Sequence, residues 1–81
     1  MSERRILKGR LAELEEQKKG LEVKFRSNCE RVGEIVNPLI NEPADMKIPE
    51  AAALMDEMVM QQAELLGVSA KIEELQEALY G

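Results

Sequence analysis

Apolar residues recur along the first half of the chain at alternating spacings of four and three: Leu7, Leu11, Leu14, Leu21, Phe25, Val32 and Ile35, with Lys18 and Asn28 filling the remaining places. This is a heptad (positions a to g), with Leu11, Lys18, Phe25 and Val32 at a and the others at d. Gly9, Gly20 and Gly33 fall off the seam, so they soften a helix without interrupting its apolar stripe. Ser2 suits an N-cap, Glu3 suits the positive end of the helix dipole, and Pro38 restricts Asn37. A first helix over about 3–36 follows.

A second unbroken seam runs through Ala51, Leu54, Met58, Gln61, Leu65, Val68, Ile72, Leu75 and Leu79. Pro49 is tolerated in a first turn, and Glu50 beside it suits the same end. The pattern predicts a second helix over about 49–79. Between the two, residues 37 to 48 hold Pro38 and Pro43, and read as a turn. The turn is expected to expose Leu39, Ile40, Met46 and Ile48 and to be the segment best placed to touch a partner. Leu39 also continues the heptad at a, which predicts that part of the turn folds back over the end of the seam.

An antiparallel pairing can be tested by register. When facing numbers sum to 86, Leu7 meets Leu79, Leu11 meets Leu75, Leu14 meets Ile72, Leu21 meets Leu65, and Val32 meets Leu54. The same register sets Arg31 against Glu57 and Lys24 against Glu64. A slip of one heptad either strands leucines or brings like charges together, so one register satisfies both sets. The expected fold class is therefore all-α: one domain, an antiparallel two-helix coiled-coil hairpin. Lys18, Asn28 and Gln61 interrupt the seam and read as register-setting residues, with Asn28 and Gln61 near enough to share a hydrogen bond. Lys18 is expected to lay its stem on the seam and raise its ammonium to water.

Two helices hide little surface, and a further apolar stripe beside the second seam indicates where more is buried. It comprises Ala52, Met55, Val59, Gln62 and Leu66, with Cys29 and Val36 facing it from the first helix. All lie toward the turn. The expectation is a homodimer, two hairpins forming a four-helix bundle, with those seven residues as the partner interface. A different protein partner could occupy the same face.

Composition narrows the chemistry. The 81 residues include no histidine, no tryptophan and one cysteine, and the strong helix formers dominate. Histidine-dependent acid–base catalysis, triads and zinc sites lack their ligands, and the helix-bundle di-iron pattern lacks its Glu-x-x-His. No phosphate-binding glycine loop is present. The reading is no enzyme, no cofactor and no metal. The run MDEMVM invites a Cu(I) thioether site, but Met58 belongs to the seam and methionine serves adaptable packing. Cys29, next to Val36 and Met55 on its face, reads as a small buried apolar residue rather than a redox thiol.

Charge is uneven. Residues 1 to 31 carry nine Lys and Arg against six acids, and residues 32 to 81 carry two against ten. A basic and an acidic half can pair with each other. Arg4, Arg5, Lys8 and Arg10 make a basic first turn, yet the chain has neither recognition helix nor aromatic platform for nucleic acid. A lone cysteine suits a reducing compartment, and MSERRILKGR has no apolar run behind its basic residues. A cytoplasmic protein that does not insert in membranes is expected.

The sequence LAELEEQKKGLEVKF, then NPLINEP, then AAALMDEMVMQQAELL, resembles small uncharacterised helical-hairpin proteins of Mu-like phages and prophages. The resemblance implies a phage or prophage accessory role and nothing catalytic. The functional expectation is a protein–protein interaction module, acting as an assembly or regulatory adaptor. Two alternatives stand beside it: a small chaperone offering a Met-rich surface to a client, and a weak nucleic-acid-binding accessory protein.

Overall fold

The computed structural model describes residues 2–81. Helix α1 spans Glu3–Ile35 and helix α2 spans Ile48–Tyr80, each of 33 residues, so each is about 50 Å long at 1.5 Å per residue. The two pack against each other along a particle measuring 62 × 19 × 16 Å. Among the described residues all regular structure is helical; the connection adds only a 3-10 turn at Pro43–Asp45.

The helix ends follow local chemistry. Ser2 has the extended backbone of an N-cap, and its carbonyl accepts the Arg5 and Ile6 N–H groups at 3.1 and 3.3 Å, but its side chain makes no capping bond. At the other end Val36 donates to the Val32 carbonyl at 3.1 Å, one residue past the last helical position. Asn37 then leaves the helix because Pro38 disfavours a helical residue before it. Helix α2 starts at Ile48, with Pro49 within its first two positions, where the missing N–H is not needed.

Register is constant to within a turn along the hairpin. Leu7 lines one groove with Ala78 and Leu79, Leu14 lines another with Leu75, and Asn28 donates to Gln61 Oε1 at 3.2 Å. Leu11, Val68, Ile72 and Leu79 form the buried core cluster, with Leu7, Leu14, Leu21 and Leu75 packed on it. All but Leu21, which lies just past the middle of α1, are in the half near the chain ends, here the open half. In the half near the turn, here the tip half, Ile35 and Ala51 are buried, while Phe25, Val32, Leu54, Met58 and Leu65 are half-buried. Lys18 is half-buried and lines a groove with Ile72 and Gln76 of α2.

Three sequence expectations are corrected. Leu39 does not fold back over the seam: it is 91% exposed. Asn37 Oδ1 accepts the Leu39 N–H at 2.9 Å, an Asx-type turn, and Met46 rather than Leu39 is the half-buried apolar residue of the loop. The cross-helix partner of Arg31 is Glu50 at 3.0 Å, not Glu57. Glu34, one turn along α1, also attracts the guanidinium, at 3.5 Å, and both carboxylates lie toward the tip. Glu57 Oε1 meanwhile accepts from Gln61 Nε2 at 3.5 Å. Lys24 and Glu64 are exposed, and no ion pair joins them among the described residues.

Candidate protein-binding face

The stripe at Ala52, Met55, Val59, Gln62 and Leu66 follows spacings of three and four, so one line on α2 carries all five side chains. Every one is exposed, Val59 at 66% and Leu66 at 68%. Val36 is exposed as well, and so is Cys29, which the hairpin by itself does not bury, contrary to the expectation from its sequence position. The two sides of the hairpin can be told apart by what lines them. Arg10, Leu14, Lys71 and Glu74 share one groove, and Arg31 meets Glu50 on that same side, all these charged residues except Glu74 being g positions. Lys8, Ala12, Glu15 and Tyr80 share a groove on the other side, which is the side of the e positions Cys29, Val36, Met55 and Gln62. The seven residues therefore occupy one face, in the tip half.

Two residues extend this face beyond the sequence reading. Ile48, half-exposed, sits one turn before Ala52 and seven residues before Met55, so it continues the stripe to the tip. Its spacing is the available signal, obscured because Pro49 suits the first position of a helix. Tyr80 lies on the same line of α2 at the open end, where the Arg4 guanidinium sits 5.7 Å from its ring centroid, within cation–π range. Met60 is also exposed, one position around from Val59.

Polar chemistry inside the hairpin is confined to one layer. Gln61 is the one buried polar residue among those described, and it both accepts from Asn28 and donates to Glu57. No buried side-chain nitrogen or oxygen among the described residues lacks a partner. This is what a register-setting pair needs, since an unpaired amide there would lose its full desolvation cost. The hydrogen bond and charge of Glu50, followed by those of Glu34, hold the Arg31 guanidinium above its ordinary pKa, partly opposed by burial.

Among the described residues no group of three or more His, Cys, Asp or Glu is placed to hold a metal ion. No helix among them is long and apolar enough to cross a membrane. No protein family, curated protein or solved structure matches this chain.

Proposed function

We propose that this chain is a non-enzymatic protein–protein interaction module: a hairpin that self-associates through its tip-half face into a homodimeric four-helix bundle and acts as an assembly or regulatory adaptor. Its setting in this reading is the cytoplasm, in an accessory role of phage, prophage or bacterial type.

The observation that carries the reading is surface that the hairpin leaves uncovered. A compact monomer of 9.1 kDa has an accessible area of about 4,900 Å² by the usual size scaling, whereas this chain exposes 6280 Å². No described side chain is fully buried. Within that surface Ile48, Met55, Val59 and Leu66 stand exposed in one line on α2, and such a patch is characteristic of an association surface. Two copies joined there would each hide an area in the range of stable homodimers, on the order of 1,000 Å² or more per partner. Exposed Met55 and Met60 also favour a second reading, a small chaperone, because flexible thioethers adapt to varied apolar partners.

Sedimentation equilibrium over a wide concentration range, with the Met55→Glu/Val59→Glu variant alongside, tests this. The expected result is a wild-type dimer that becomes monomeric or unfolded in the variant. A wild-type chain that stays a folded monomer would sink the dimer. If that monomer suppresses aggregation of an unfolded client, and the variant does not, the chaperone reading takes its place.

A further inference from the structure

An adaptor needs a surface that its own dimer does not occupy, and the hairpin tip supplies one. Leu39 is 91% exposed and Ile40 beside it 67% exposed, the former the most exposed large apolar side chain among those described. The loop that carries them is fastened. Asn37 Oδ1 accepts the Leu39 N–H at 2.9 Å, and the Asn37 carbonyl accepts the Ile40 and Asn41 N–H groups at 3.3 and 3.1 Å. The Asn41 Nδ2 group reaches back to the Glu34 carbonyl at 2.6 Å and the Asn37 carbonyl at 3.2 Å. Beyond it, the Asp45 N–H closes the 3-10 turn on the Glu42 carbonyl at 2.9 Å. Two apolar side chains are thus presented on a backbone that is already ordered, which lowers the entropic cost of docking.

Position and charge narrow the partner. Ile40 borders a concavity of about 240 Å³ with Ile35, Arg31 and Lys47, on the Arg31–Glu50 side of the hairpin. That is the side opposite Met55 and Val59, so a second copy on the stripe leaves Ile40 free. Arg31 is tied to Glu50 and Glu34, leaving Glu42, Asp45 and Lys47 as the remaining charges of the loop, a net negative set. An anionic lipid surface is repelled by such a tip, whereas a basic rim on a protein complements it. We propose that the tip is a docking knob, in which Leu39 and Ile40 seat in an apolar pocket with a basic rim on another protein.

The full chain carrying p-benzoylphenylalanine in place of Ala44, an exposed loop residue, is irradiated in the cells that make it. The adduct is identified by mass, and the partner is then purified and titrated calorimetrically. One heterologous protein adduct is expected. Leu39→Asp, and separately Glu42→Lys/Asp45→Lys, should each weaken binding roughly tenfold or more, the usual scale for a buried anchor. Wild-type affinity should fall as salt rises. Circular dichroism and sedimentation of both variants should match wild type, since these side chains are exposed. The proposal is overturned by no adduct, by an adduct only to a second copy, or by unchanged affinity of Leu39→Asp. Tip-dependent co-sedimentation with vesicles of phosphatidylcholine and phosphatidylglycerol would also overturn it, in favour of lipid. A monomeric wild type in sedimentation removes the stripe dimer without touching this result.

Discussion

The open and tip halves of the hairpin use the same helical repeat to opposite ends. In the open half, Leu11, Val68, Ile72 and Leu79 are buried between the helices and their flanks are charged, with Glu73, Glu74 and Glu77 turned to water. In the tip half the interior is looser and contains the Asn28–Gln61 layer, while Met55, Val59 and Leu66 stand outside. Both halves bury part of their seam, as Ile35 and Ala51 show for the tip; the tip half in addition places a line of apolar side chains on its surface. The difference shows that a two-helix unit can divide its apolar residues between its interior and one line of its surface.

The largest effect that would break this contrast is truncation of the open-half core. Ile72→Ala should cost roughly 3 kcal/mol, against about half that for Leu54→Ala in the half-buried tip interior. In thermal melts of an 81-residue domain that is a fall of more than about 10 °C for the first variant, and equal losses would dissolve the distinction between the halves. A smaller effect sharpens it. Gln61→Ala removes the acceptor of Asn28 and should cost about 1–2 kcal/mol in denaturant titration, whereas Asn28→Leu/Gln61→Leu should regain stability and broaden the set of oligomers seen by sedimentation. The smallest is a gain. At Gly20 and Gly67 an added Cβ meets nothing within 4 Å, so Gly20→Ala and Gly67→Ala should each raise stability by up to about 1 kcal/mol. A loss at either would mean that a partner approaches that backbone.

These halves differ in how far the sequence discloses them. Helix pairing was legible because burial obeys a period: the positions from Leu7 to Leu79 that repeat at three and four are the ones found buried or half-buried. The Asn28–Gln61 bond was legible for the same reason, since adjacent layers bring two short amides within reach. The choice of Arg31 was not. Glu50 and Glu57 are both g positions one heptad apart, a long guanidinium side chain can reach either at little energetic difference, and Arg31 takes Glu50 on the side where Glu34 also lies. Leu39 was misplaced because the heptad was carried past Pro38, where the backbone path is decided by hydrogen bonds from Asn37 and Asn41. The stripe from Ala52 to Leu66 was visible as a pattern, but its extension to Ile48 depended on where α2 begins.

The fold also has the properties of a ruler. Its long dimension is 62 Å and its width under 20 Å, and antiparallel pairing brings Arg4 beside Tyr80 at one pole while Leu39 stands at the other. Anything attached near either chain end is held about a helix length, roughly 50 Å, from whatever the loop touches. Inserting or deleting one heptad in both helices, in step, would change that span by about 10 Å while keeping every seam residue in phase.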